Sequence, residues 1–156
     1  MVAMCDQLVN RGPDDKGLWI DEQNKIGLAH QRLSILDLSS AGHQPMISKC
    51  GRYILVFNGE IYNHKLIRQD LEKNNSFKDN NYVWNGQSDT ETLLASISIL
   101  GIPKTLENIV GMFAIACWDL KAKSLFLTRD RLGEKPLYYG YKLSLIHISE
   151  PTRRYS

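Results

Sequence analysis

The chain has 156 residues, 43% of them hydrophobic, and its 19 Lys and Arg against 17 Asp and Glu leave a formal net charge of +2. That is enough chain for one domain with a buried core, and a charge too balanced and too scattered for a nucleic-acid footprint. The longest apolar stretches, such as residues 109–118, are too short to span a bilayer, and the start lacks a charged-then-apolar leader, so a cytoplasmic protein without membrane contact is expected.

Residues 2–9 carry Val2, Cys5, Leu8 and Val9 at helical spacing, broken by the turn-rich run Arg11-Gly12-Pro13-Asp14-Asp15. Strands are expected over 17–20 and 25–36, and again over 53–57, an apolar, aromatic and β-branched run that delivers Asn58-Gly59 at its end. Leu66, Ile67 and Leu71 suggest an amphipathic helix that dissolves in a surface loop over 74–85. Ser88-Asp89-Thr90-Glu91 has capping-box spacing and predicts a helix from there to about Leu100, ended by Gly101 with Pro103 as a stop. A short helix near 105–109 and strands over 112–118, 124–129 and 136–141 complete the pattern. Strands in hairpin succession with helices grouped between them indicate an α+β fold with antiparallel sheets.

Cys5, Cys50 and Cys117 are odd in number and form no C-x-x-C pair, which excludes a disulfide framework and a zinc ribbon and sets a reducing compartment as the default. His30, His43 and His64 have no metal-ligand spacing and read as satisfied polar or surface residues; no metal site is expected.

The polar inventory around Asn58 is more informative. An arginine fork at Arg32 suits an α-carboxylate, the acids Glu60 and Asp89 suit an α-ammonium, and Asn58 with the Gly59 N–H suits a developing oxyanion. Together these are the requirements of a free amino acid. Each residue alone has a plainer reading: Asn-Gly as a hairpin turn, Asp89 as a charge on a helix dipole, Arg32 as a surface ion pair.

The ordered strings Arg11-Gly12-Pro13-Asp14-Asp15, His30-Gln31-Arg32-Leu33-Ser34-Ile35, Gly42-His43-Gln44-Pro45-Met46, Phe57-Asn58-Gly59-Glu60-Ile61-Tyr62-Asn63, Ser88-Asp89-Thr90-Glu91 and Arg129-Asp130-Arg131-Leu132-Gly133-Glu134-Lys135-Pro136 resemble the glutaminase domain of glutamine-hydrolysing asparagine synthetases. The resemblance implies a class II glutamine amidotransferase of the N-terminal-nucleophile hydrolase fold, a four-layer sandwich of two antiparallel sheets between helix layers. It implies glutamine as substrate, with Arg32 on the α-carboxylate, Leu33 and Ile35 offering backbone contacts, Glu60 and Asp89 on the α-ammonium, and Asn58 and Gly59 as the oxyanion hole. It further implies no cofactor within this stretch, ATP and Mg in a C-terminal synthetase domain that takes the ammonia to amidate aspartate, and a homodimer of the intact enzyme.

The family's nucleophile is an N-terminal Cys whose own α-amine serves as base, the α-amine titrating near neutral pH. Here Met1 is followed by Val2, and Cys5 sits on a helix close to Arg11-Gly12-Pro13, so Cys5 is expected to be a half-buried structural thiol. The first strand and its Cys are therefore expected to be missing and the chain to be inactive as it stands. Residues 1–142 are expected to form the partial amidotransferase domain. Residues 143–156, beginning Leu143-Ser144-Leu145-Ile146-His147-Ile148, resemble a translated sequencing adapter and are expected to stand outside it. Two alternatives are a non-catalytic glutamine-binding or regulatory module and an amidotransferase for another carboxylate acceptor.

Overall fold

The computed structural model describes residues 2–33, 42–79 and 82–140. Ile35, the expected end of the second strand and the adapter-like segment 143–156 lie outside the described residues. After α1 (Val2–Asp6) and a single 3-10 turn (Val9–Arg11), β1 (Asp15–Asp21) and β2 (Ile26–Arg32) form an antiparallel ribbon in which Gly17 faces His30 and Trp19 faces Leu28. A second antiparallel sheet has the order β3 (Met46–Ile47), β4 (Tyr53–Ile61), β5 (Gly111–Asp119), β6 (Ser124–Arg129). Between β4 and β5 the chain makes α2 (His64–Lys73), α3 (Asn75–Asp79), α4 (Asp89–Leu100) and α5 (Ile102–Asn108).

The period-two alternation of a strand decides the layering. Tyr53, Leu55, Phe57 and Ile61 of β4 turn one way, with Phe113, Ile115 and Cys117 of β5, and pack on Ile67 and Leu71 of α2, on Leu93, Leu94 and Ile97 of α4 and on Ile102 of α5. Ile54 and Trp118 turn the other way and meet Leu28 of the ribbon, with Trp19, Val56 and Ala116 around them. On the outer face of the ribbon, Gln31 Nε2 donates to the Cys5 carbonyl at 3.2 Å and Lys16 pairs with Asp6, which holds α1 there. Two antiparallel sheets thus lie between a thick helical layer and a thin one, in agreement with the α+β expectation. α4 is buried on every side from Asp89 to Ile97, because the sheet lies on one flank and α2 and α5 on the others.

Several boundaries differ from the sequence reading. β4 does not stop at Phe57; pairing with β5 carries it through Asn58 and Gly59 to Ile61, so Asn58-Gly59 is strand and not a turn. The stretch after α2 is partly helical because Phe77 buries itself and stacks with Tyr82 and Trp84, ring centroids 4.8 and 5.1 Å away. Pro103 does not end a helix but sits in the first turn of α5, where its missing N–H costs nothing. The expected strand over 136–141 is absent over 136–140, which carry no regular structure.

The turn that leads into it, residues 130–135, is organised by one carboxylate. Asp130 takes the N–H of Glu134 at 2.7 Å, of Lys135 at 2.9 Å and of Phe113 at 3.2 Å, while its own N–H donates to the Phe113 carbonyl at 2.8 Å. Next to it Arg131 donates to the carbonyls of Ile109 and Leu106 at the end of α5, as a basic side chain at a helix C-terminus should. Burial pushes the Asp130 carboxyl upward, but the converging N–H groups of Lys135, Glu134, Phe113 and Gly133 outweigh it and hold the group at about 2.

Because this folded value lies below the ordinary unfolded value of about 3.9, the stabilisation is complete above about pH 4 and is lost as pH falls towards 2. Asp130→Asn should therefore lower stability at neutral pH by about 2 kcal/mol, the scale of a hydrogen bond to a charged group. In urea titrations the gap between variant and wild type should close between about pH 4 and pH 2; a gap that stays constant would show that the carboxylate is not the organising group.

Candidate active site at the open edge of β4

β3 pairs with β4 only at Ile54 and Leu55, while β4 continues to Ile61. Main-chain groups along this edge therefore need other partners. Ser48 N donates to the Tyr53 carbonyl at 2.9 Å, which makes Tyr53 a hydrogen-bonded position and places the N–H groups of Leu55, Phe57, Gly59 and Ile61 on the same β3-side edge. On β5 the opposite neighbour of Gly59, Phe113, exchanges its main-chain bonds with Asp130, which independently shows that Gly59 points away from β5.

Side-chain acceptors stand in for the missing strand. Tyr53 N–H donates to Ser48 Oγ at 2.9 Å, Phe57 N–H to Gln44 Oε1 at 2.6 Å, and Ile61 N–H to Asp89 Oδ2 at 2.9 Å. Between the last two lies Gly59, whose N–H meets no acceptor among the described residues. A side chain is excluded there: a Cβ on Gly59 would lie 2.1 Å from the Met112 carbonyl oxygen of β5. Asn58 and Glu60 flank it and alternate onto the ribbon side of the sheet, with Asn58 exposed and Glu60 half-buried.

Asp89 is brought to this edge by the start of α4. Ser88 Oγ accepts the Glu91 N–H at 3.2 Å, the N-cap bond anticipated from the sequence. The reciprocal half of the capping box does not form: Glu91 accepts instead from the N–H groups of Asn85 and Gly86 at 2.7 and 2.9 Å, beside Arg68. Asp89 is buried, and its second oxygen accepts the Thr90 N–H at 2.8 Å, so the carboxylate ties α4 to β4 besides standing two residues from Gly59 along the edge.

Arg32 arrives from the ribbon. It shares the β2 face of Leu28 and His30, which looks towards the larger sheet, and its guanidinium packs so closely on Gly42 that a Cβ there would lie 2.0 Å from it. The His30 ring faces the Phe57 carbonyl; burial first, and the Arg32 charge second, lower its pKa. Leu28 beside Ile54 and His30 beside Phe57 show β2 advancing with β4 towards its Asn58–Ile61 end. Leu33 follows, more than half exposed.

Other expectations are revised. Cys5 is fully buried, not half-buried, with Sγ 3.9 Å from the His30 carbonyl on the outer side of the ribbon. Burial on the helix face of β5 pushes the Cys117 thiol up to about 12, and Cys50 lies in the exposed turn after β3. His43 pairs with Asp15 at 2.7 Å, but His64 Nδ1 is buried without a hydrogen-bond partner among the described residues, contrary to the expectation of satisfied histidines. No group of three or more His, Cys, Asp or Glu among the described residues is placed to hold a metal. A cleft of about 250 Å³ lies against β3 and its lead-in, lined by His43, Pro45, Met46, Tyr82 and Glu91, and one of about 270 Å³ by Phe113, Arg129 and Arg131; none of Arg32, Asn58, Gly59, Glu60 and Asp89 lines either. The candidate site is a strand edge, not a closed pocket. Gln44, inside the string Gly42-His43-Gln44-Pro45-Met46, had no expected role of its own; its part as an edge acceptor follows from the sheet order.

The family model of the glutamine amidotransferase domain matches residues 1–152, and the chain belongs to that family. It is 40% identical over 149 residues to asparagine synthetase [glutamine-hydrolyzing] 2 of Bacillus subtilis strain 168, covering 95% of this chain and 18% of that protein. It is 39% identical over 132 residues to asparagine synthetase B [glutamine-hydrolyzing] of Escherichia coli K12, covering 85% and 22%. Amidase chry2 of Gibberella zeae is 36% identical over 134 residues, 86% and 19%. The chain thus spans about a fifth of the length of these relatives.

Gly59→Ala should cost about 1–3 kcal/mol, the usual scale of overpacking, because the clashing atom is the main-chain carbonyl of Met112 in a central strand and cannot swing away. A urea midpoint equal to wild type would contradict the close approach of Gly59 to β5.

Proposed function

We propose that the open edge of β4 grips the amino acid glutamine and presents its side-chain carbonyl to the Gly59 N–H. The observation that carries this reading is the unpaired Gly59 donor between two filled positions, Phe57 on Gln44 and Ile61 on Asp89. Unspent N–H groups beside an amide-bearing side chain, here Asn58, are what a tetrahedral intermediate of amide hydrolysis needs. Arg32 takes the α-carboxylate as a charge-assisted fork, and Glu60 with Asp89 takes the α-ammonium. Leu33 adds main-chain contacts beside Arg32. The family membership supports glutamine as the amide.

Cysteine-based amide hydrolysis of the kind the family resemblance implies requires a thiolate next to the Gly59 N–H. Cys5 is sealed behind the ribbon, Cys117 lies on the helical face and Cys50 sits in the turn beyond β3, so none of the three attacks a carbonyl held there. The chain by itself therefore binds glutamine without turning it over, and its amidotransferase role is that of the glutamine-gripping part of an ammonia-donating enzyme. The names of the Bacillus and Escherichia relatives support glutamine-dependent asparagine synthesis as the setting; aspartate as acceptor, ATP and Mg in a C-terminal synthetase domain and a homodimer complete the proposal on the family resemblance alone.

Calorimetric titration with L-glutamine should show binding that Arg32→Ala weakens by about tenfold to a hundredfold, the loss of one charge-assisted contact of about 1.5–3 kcal/mol. Incubation with glutamine should release no ammonia. Ammonia release that disappears in Cys5→Ala would overturn the assignment of Cys5, and glutamine binding indifferent to Arg32 would overturn the site.

A further inference from the structure

We infer that Gln44 is a positioning residue for the amide-recognising donor: its side-chain oxygen fixes the β4 edge so that the Gly59 N–H points at the substrate carbonyl. This rests on the reading of the β4 edge as a glutamine site.

The reason lies in strand register. With Met46 opposite Leu55 and Ile47 opposite Ile54, a β3 prolonged backwards would set Pro45 against Val56 and Gln44 against Phe57. Since Ser48 and Tyr53 form a hydrogen-bonded pair, Gln44 and Phe57 would form one too, and the Gln44 main-chain carbonyl would take the Phe57 N–H. It does not. The main-chain carbonyl of Gln44 is turned to β1, so close to Gly17 that a Cβ on Gly17 would lie 1.8 Å from it. The buried side-chain Oε1 takes the Phe57 N–H instead, at 2.6 Å.

Two things follow from this exchange. β3 ends before it reaches Gly59, since a main-chain continuation would deliver a carbonyl there and quench the donor. The β4 edge is nevertheless held on both sides of Gly59, two residues before it by Gln44 and two residues after it by Asp89. An amide side chain supplies one acceptor and then stops, which a strand cannot do. Gln44 itself touches no substrate in this arrangement; it acts through the main chain of residues 57–59.

The test compares two ligands on Gln44→Met, which keeps length and volume but has no acceptor, and on Gln44→Glu, which restores one. L-norvaline has the carbon skeleton of glutamine without the side-chain amide and so does not use the Gly59 donor. For Gln44→Met the affinity for L-glutamine should fall about tenfold, one hydrogen bond's worth, with that for L-norvaline within about twofold of wild type. Gln44→Glu should regain most of the glutamine affinity. Equal losses for both ligands, or no loss for either, would overturn the positioning role, since general damage to the fold does not distinguish them. If wild type binds neither ligand, the glutamine reading itself fails. Amide hydrogen exchange then decides the remaining point: faster exchange at Phe57 in Gln44→Met alone upholds the edge contact, and unchanged exchange refutes it. Should Gln44→Met not fold, Gln44→Asn, which withdraws the same amide by one methylene, serves in its place.

Discussion

The β4 edge, and the site proposed on it, depend on a mismatch of strand lengths. β4 outruns β3, and a β-strand edge cannot leave its main-chain donors unpaired inside a protein without cost. The chain meets that demand at Tyr53, Phe57 and Ile61 with side chains from three different places, and among the described residues leaves Gly59 unmet. A donor that the fold holds in place and does not use is preorganised for a ligand, because no protein partner must be displaced when one arrives.

The rest of the architecture serves to keep that edge where it is. On one side Ile61 closes the helical core and the Asp89 carboxylate fastens the start of α4 to the strand. Asn63 repeats the device one turn on, its amide bonding both the Asn108 carbonyl and the Val110 N–H, and so clamps the entry of α2 to the end of α5. On the other side the ribbon lies across Ile54 and Trp118 and brings His30 and Arg32 over the sheet. Gly17 and Gly42 matter here because they have no side chain: one leaves room for the Gln44 main chain and the other for the Arg32 guanidinium. At the far end Asp119 takes a two-pronged bond from Arg52, at 2.9 and 2.7 Å, and the N–H groups of Lys121 and Ala122 in the β5–β6 turn, which fixes the end of the sheet away from the site.

Much of this was legible in the sequence. Hydrophobic periodicity found β1, β5, β6 and α4, and Ser88 with Glu91 located the start of α4, because those signals are local. The extension of β4 through Asn58-Gly59 was not legible: the pair has the strongest local preference for a turn, and pairing with a strand some fifty positions on overrides it. Pro103 misled for a similar reason, since a proline that ends one helix and a proline that begins the next look alike in a string. The edge role of Gln44 depends on which main-chain groups of β4 lack partners, and that is known only once the sheet order is known. The choice of Arg32, Asn58, Gly59, Glu60 and Asp89 came from the chemistry of an amino-acid ligand and from family likeness; the fold adds that Gly59 and Asp89 stand on one strand edge, which the sequence did not contain.

The most direct measurement is the amide resonance of Gly59 in an isotopically labelled chain during titration with L-glutamine. A hydrogen bond from the ligand carbonyl to this free N–H should move its proton signal downfield by more than that of any other amide, while those of Phe57 and Ile61, already bonded to Gln44 and Asp89, shift little. A titration in which glutamine binds and the Gly59 signal stays in place would contradict the assignment of the unpaired edge donor as the centre of the site.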